Sequence, residues 1–225
     1  MFDKHFEVFL ADTEESKNIH YNIRYQVYCE EMGFENKDDF TTEMEFDEDD
    51  AKSIHFIVRN KETKDWVGAM RLIYKQDSLL PIEQLCNLNE NVNSELFETV
   101  EISRLCLLKH VRKGKDIDPP HGIYNDPNQN KLNRLIIWGL FHAAVEYGNE
   151  NKILNSYFMT TMALAKLLKR AGLNLINIGS SCQHKGERFP FKMNTKEAYQ
   201  SDIWKSGYSQ RYQLFSGLTE VAQAA

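Results

Sequence analysis

The run TVEISRLCLL at residues 99–108 constrains this chain more than any other segment. Its apolar residues read as a buried strand, yet it carries Glu101 and Arg104. A buried carboxylate is costly unless it is paired or hydrogen-bonded. Any fold that accepts this strand must supply partners for both charges or put them to use. In a regular strand, residues three apart point to opposite faces. A bulge between them would bring Glu101 and Arg104 to one side.

The neighbouring segments frame that strand. Residues 6–10 read as a short strand. Residues 14–29 predict a helix, with Ile19, Ile23 and Val27 on one stripe. An irregular loop over 31–50 carries Glu43, Glu45, Asp47, Glu48, Asp49 and Asp50. SIHFIVRN and WVGAMRLIY read as two strands joined through the polar NKETKD. Residues 81–97 are mixed, with room for one helix. Residues 131–147 predict an amphipathic helix lined by Leu132, Leu135, Ile136, Leu140, Ala143 and Ala144, stopped by Gly148. ILNSYFM reads as a strand, and 161–170 as a second amphipathic helix ended by Gly172. NLINIG and RFPFKM are further strands, and the tail from residue 195 is partly helical. Antiparallel strands followed by alternating elements predict an α/β (α+β) domain, a mixed sheet flanked by helices.

The chain has 225 residues and a net charge of −6. That length suits one large domain or two small ones, and a chain this long buries roughly 70% of its unfolded surface, so a sizeable core needs no disulfide or metal staple. The acidic balance makes wholesale nucleic-acid binding a poor default. Cys29, Cys86, Cys106 and Cys182 form no CxxC pair and sit in no tight Cys/His cluster, so they are expected to be reduced, idle thiols and not zinc ligands. No secretory leader and no apolar run of membrane-spanning length is visible. The expectation is a soluble, cytoplasmic protein.

Periodicity names no reaction, but five features together resemble the acyl-homoserine-lactone synthases. Arg24 and Tyr28 stand in IRYQVYCEEMGF, where Phe34 occupies a position at which that family usually has tryptophan. EFDEDDA gives Asp47 and Asp50, VGAMRL gives Arg71, and EISR gives Glu101 and Arg104. The fifth feature is their order and spacing. LPIE at residues 80–83 and IGSSCQHKGERFPF at 178–191 are similar to acyltransferases associated with exosortase systems. The resemblance covers residues 20–192. It implies a GCN5-related N-acetyltransferase-like fold, whose twisted sheet splays into a V at the central strands. It further implies a single domain over 1–225, with an acceptor-side half over 1–80 and a donor-binding half over 99–192. The activity implied is transfer of a fatty acyl group to a small amine, an amino acid in preference to S-adenosylmethionine; the rival reading is a non-catalytic module that holds an acyl carrier or small ligand. Acyl carrier protein or acyl coenzyme A would be the donor, with no bound cofactor, no metal and no covalent intermediate.

Each residue has a functional and a plain reading. Glu101 could be the general base that deprotonates the acceptor amine, since partial burial raises a carboxyl toward useful basicity. It could also be a structural salt bridge to Arg104. Asp47 and Asp50 with Arg24, Arg71 and Arg104 could form one bidentate cluster shaping the acceptor pocket, with Tyr28, Phe34 and Ser103 as further acceptor-side residues. The acidic run could instead be a solvated loop. A calcium loop is the third reading, though the run lacks alternating oxygen ligands, a turn glycine and a distal Glu. On the donor side the resemblance implies Leu105, Cys106, Leu107, Arg112, Lys113 and Gly114. Lys109, Arg112, Lys113 and Lys115, extended by Arg134, Lys166, Lys169 and Arg170, make a basic patch that could dock an acidic carrier protein. The usual Gln/Arg-x-x-Gly-x-Gly/Ala pyrophosphate loop is absent. Met159, Met162 and Leu164 could line an acyl slot or fill the core, and His184 could assist the donor site. Trp66 and Trp138 read as core or half-core.

Overall fold

The computed structural model describes residues 1–92, 98–113, 127–205 and 207–218, with the backbone alone at 113 and 127–133. Along the chain run α1 (Phe2–His5), β1 (Phe6–Leu10), α2 (Glu14–Tyr25), β2 (Ser53–Asn60), β3 (Trp66–Tyr74), α3 (Pro81–Leu85), β4 (Thr99–Leu107) and α4 (Lys109–Lys113). They are followed by α5 (Pro127–Glu150), β5 (Asn155–Thr160), α6 (Met162–Arg170), β6 (Ile176–Asn177), β7 (Cys182–Gln183), β8 (Glu187–Asn194), α7 (Thr195–Tyr199) and β9 (Gln213–Leu214).

The strands form one mixed sheet in the order β6-β8-β5-β4-β3-β2-β1-β9, with β7 paired to β8. Neighbours from β1 to β4 are antiparallel, whereas β4 and β5 run parallel. That parallel ladder is short: Thr99, Val100 and Glu101 face Asn155, Ser156 and Tyr157, and there the pairing stops. Past Glu101 the two strands part, producing the expected V. The expected bulge is also present. Met70 on β3 lies opposite both Arg104 and Leu105, between the pairs Arg71↔Ser103 and Ala69↔Cys106. Arg104 takes the left-handed backbone that such an extra residue requires, with φ at 51°.

Local chemistry fixes the helices. Thr13 and Ser16 cap α2 reciprocally, and Glu14 and Glu15 sit in its positive first turn. Ile23 and Val27 bury its stripe against Phe9, Ile57 and Ala69. The helical path continues as a wide π-type turn over Gln26–Glu31. Helix α5 packs Ile136, Leu140, Phe141, Ala143 and Ala144 onto the other face of the sheet. It does not stop at Gly148 but runs on to Glu150. The glycine serves close packing instead, because a Cβ there would lie 2.6 Å from Thr195 Cγ2. The left-handed residue that follows this helix is Lys152, at φ 59°. Thr161 caps α6, and Gly172 follows it at φ 104°. Trp138 belongs to the core, while Trp66 is half-buried. Leu132 has no described side chain, so its place on the α5 stripe lies outside the description.

The cysteines require a correction. Cys29 and Cys106 are free and buried, but Cys86 and Cys182 are joined in a disulfide across 96 residues. No local spacing signals such a pair, because the fold alone brings the segment after α3 beside β7.

Candidate functional site

A cavity of about 560 Å³ opens where β4 and β5 separate. Residues 101–107 of β4 form one wall, and Phe158, Met159, Thr160 and Thr161 form the other. Toward the face of the sheet that carries α3, the lining is Asp47, Glu48, Asp49, Arg71, Pro81, Gln84, Leu85, Glu101 and Ser103. Toward the α5 and α6 face it is apolar: Ile102, Ile137, Phe141, Phe158 and Leu164. Tyr28, Met32, Phe34, His184, Lys185 and Arg188 add a mixed rim.

Glu101 sits at the apex of the split, 1% exposed. Its hydrogen bond is to α3, where the Ile82 N–H donates to Oε2 at 2.8 Å. Burial raises its carboxyl from the ordinary 4.5 to about 8, against the downward pull of the Ile82 N–H and the Arg71 charge. The structural salt bridge to Arg104 is therefore not formed, and Arg104 has other partners. Its Nη2 donates to Glu45 Oε1 at 3.1 Å and to Asp47 Oδ2 at 2.7 Å, and its guanidinium lies over the Tyr28 ring.

The charged cluster forms under the bulge. Arg24, wholly buried, donates Nε to Glu45 Oε2 and Nη1 to Asp50 Oδ1. Arg71, 1% exposed, donates Nε to Ser103 Oγ at 3.0 Å and Nη1 to Asp47, and lies 2.9 Å from Asp50 Oδ1. Three guanidiniums thus meet three carboxylates, and the fixed charges balance. Burial alone would lift these acids. For Asp50 the His55 hydrogen bond and the Arg24 and Arg71 charges outweigh it, holding the group well below its usual range. Arg24 and Arg104 do the same for Glu45, and Arg71 and Arg104 for Asp47. The third carboxylate, Glu45, is 1% exposed and was not singled out in the sequence. Charge balance was its signal: three expected arginines against two expected aspartates leave one positive charge over. His55, bonded to Asp50 at 3.0 Å, and His20, whose ring lies 4.6 Å from that of His55, complete the buried layer and carried no local sequence signal. The acidic run is therefore split. Glu45 and Asp50 are buried partners, Asp47 is half-buried, and Glu43 is on the surface. Among the described residues no group of acids, histidines or cysteines has the arrangement of a metal site.

Of the residues expected on the donor side, Leu105, Cys106, Leu107 and Arg112 line the cavity. Burial pushes the Cys106 thiol up to about 12, which removes it as a nucleophile near neutrality. Arg112 donates Nε to the Leu107 carbonyl at 2.8 Å and pairs with Glu31. The Lys113 side chain, Gly114, Lys115 and the loop over 114–126 lie outside the described residues. Lys109, Arg134, Lys166, Lys169 and Arg170 are exposed. Met159 and Leu164 line the cavity, whereas Met162 sits on the surface, 37% exposed. His184 and Lys185 sit at the rim, and burial lowers the pKa of both.

The fold that holds this site has known counterparts. Residues 23–118 match the family described as acetyltransferase (GNAT) domain. A CoA-dependent acyl-homoserine lactone synthase, BjaI, solved with SAM and isopentyl-CoA, superposes with a TM-score of 0.66 at 14% identity, covering 93% of this chain and 92% of that one. The AHL synthase LasI gives 0.58 at 16% identity over 85% and 90%. FeeM, an N-acyl amino acid synthase from uncultured soil microbes, gives 0.55 at 11% identity over 87% and 94%. No curated protein sequence matches the chain, and no helix among the described residues is long and apolar enough to cross a membrane. Residues 23–118 thus resemble a GNAT acetyltransferase domain, and the chain has the fold that these lactone and N-acyl amino acid synthases share.

Proposed function

We propose that this protein transfers a fatty acyl group from a thioester donor, acyl carrier protein or acyl coenzyme A, to the α-amine of an amino acid or similar small amine. The observation that carries the reading is Glu101: a buried carboxyl with a raised pKa, at the apex of a cavity that is polar on one side and apolar on the other. The acceptor ammonium loses a proton to Glu101, and its nitrogen attacks the thioester carbon. The C–N bond forms as the C–S bond breaks, and the second proton that the nitrogen gives up is taken by the departing thiolate. Ser103 accepts from Arg71, which leaves its own hydroxyl proton to reach toward the cavity. Residues 1–80 with α3 supply the acceptor side, and residues 99–192 supply the donor side. The apolar side of the cavity suits an acyl chain, and the exposed Lys109, Arg134, Lys166, Lys169 and Arg170 suit an acidic carrier protein.

A second acceptor, S-adenosylmethionine, is favoured by one feature. Asp47, Glu48 and Asp49 line the acceptor end, an environment that suits a cationic sulfonium. Mass spectrometry of extracts from cells expressing the protein, beside cells expressing Glu101→Gln, tests both readings. N-acyl amino acids made only by the unmutated protein support the first. Acyl-homoserine lactones alone support the second. No new N-acyl product, with native substrates supplied, refutes both.

A further inference from the structure

The LPIE segment around α3 has so far explained only one hydrogen bond, yet it is built in an unusual way. Helix α3 has five residues, too few to be stable by its own hydrogen bonding. Pro81 opens it, and Glu83 Oε2 accepts from the Leu80 N–H at 2.7 Å. The same oxygen lies 2.6 Å from Lys75 Nζ. Lys75 is 7% exposed, a position a lysine seldom occupies unless paired. Its Nζ also reaches the Ser78 carbonyl at 3.3 Å, and its backbone N–H donates to the Thr99 carbonyl at 2.9 Å, two residues before Glu101. Lys75 therefore ties the end of β3 to the start of β4 through its backbone and to α3 through its side chain.

We propose that the Lys75–Glu83 pair is a positioning element that fixes α3 so that the Ile82 N–H is aimed at Glu101. The proposal rests on the reading of Glu101 as the proton acceptor. Leu80 and Ile82 anchor α3 by packing with Ile73, Tyr157 and Ile178, but apolar packing is non-directional and does not set where an N–H points. The ion pair supplies the direction, and its cation counters the charge of Glu83, one of the two acids that push the Glu101 carboxyl up. The groups facing Glu101 are Arg71 from β3, Asp49 from the turn over Glu48–Lys52, Glu83 from α3 and Tyr157 from β5. Loss of Lys75 removes the partner of one of the two neighbouring acids and loosens the Ile82 N–H, which favours the ionised carboxylate. Both changes make Glu101 harder to ionise.

The test is titration of glutamate side-chain carboxyls by 13C NMR, with the Glu101 resonance assigned by its loss in Glu101→Gln. Lys75→Met is expected to raise the Glu101 midpoint by about one pH unit, the size of a lost hydrogen bond to a charged group. Lys75→Arg should keep the wild-type midpoint. An unchanged midpoint in folded Lys75→Met overturns the proposal. If that variant fails to fold, Lys75→Gln is judged by the same criterion. The acid limb of kcat/KM for acyl transfer should move with the midpoint while KM for the donor stays constant. A midpoint that moves without the rate limb leaves the positioning role standing and refutes Glu101 as the base.

Discussion

Replacing Glu101 by glutamine should make the protein more stable at alkaline pH while removing its activity. Raising a buried carboxyl from 4.5 to about 8 is equivalent to ~5 kcal/mol at 1.36 kcal/mol per pH unit. The folded value lies above the unfolded one. The stability linked to this group is therefore fully present below 4.5 and is lost as the pH rises through about 8. Glutamine fills the same volume and does not titrate. The stability difference between Glu101→Gln and wild type should thus grow in favour of the variant from about pH 5 to about pH 9, approaching ~5 kcal/mol as an upper figure. Urea denaturation of both proteins across that range measures it. A difference that stays flat would show that Glu101 is already ionised in the folded protein near neutrality, and the argument from burial would fail. In the same pair, kcat/KM should fall by roughly 10² to 10⁴, the usual contribution of a general base. Wild-type activity should rise with pH to a plateau near 8.

Further consequences follow from the cluster and the cross-link. Glu45→Ala leaves Arg24 and Arg104 without their shared carboxylate and should cost about 3–5 kcal/mol, read by thermal denaturation with Arg24→Ala as the second arm of a double-mutant cycle. Asp47, Asp50 and Glu45 all have lowered pKa values in the fold. Their contribution is present above about pH 4 and is lost as the pH falls through the folded values, so acid titration followed by circular dichroism should show a steep loss of structure below about pH 4. Reducing Cys86–Cys182, which spans 96 residues, should lower the urea midpoint by the equivalent of about 3–5 kcal/mol, and Cys182→Ser should reproduce that loss without added reductant.

The parts of the fold that depend on near neighbours were legible in the sequence. Ile19, Ile23 and Val27 marked the α2 stripe, Thr161 and Gly172 bracket α6, and the apolar run at 99–108 is the central strand. Elements set by distant contacts were not. Gly148 looks like a helix stop, yet its lack of a side chain serves Thr195, far along the chain. The edge strand β9 exists because Gln213 and Leu214 meet Phe9 and Leu10. Cys86 and Cys182 are brought together by folding alone. At the site, Arg24, Asp47, Asp50, Arg71 and Arg104 were legible through the ordered motifs that resemble the lactone synthases, and of these only Arg104 also stood out as a charge within an apolar strand. Glu45 was hidden among five other acids, and only a count of opposing charges would have separated it. The Ile82 N–H could not have been found, since a backbone donor has no sequence signature.

The cluster and Glu101 have opposite electrostatic characters, and this separation is what the proposed chemistry needs. Arg24, Arg71 and Arg104 are tied to Glu45, Asp47 and Asp50, and those acids stay ionised far below neutrality. Burial, followed in rank by the neighbouring histidine, lowers the pKa of His20; burial also lowers that of His55, although Asp50 pulls it upward. The floor beneath the bulge therefore keeps one charge state throughout the range in which Glu101 gains and loses its proton. A field that does not respond to the reaction requires no reorganisation when the amine is deprotonated and the thioester carbonyl becomes an oxyanion. The bulge makes this possible. Without the left-handed turn at Arg104, the alternation of a regular strand would carry its guanidinium to the face away from Glu101, leaving Glu45 and Asp47 short of a cation on the side of the sheet that Glu101 faces.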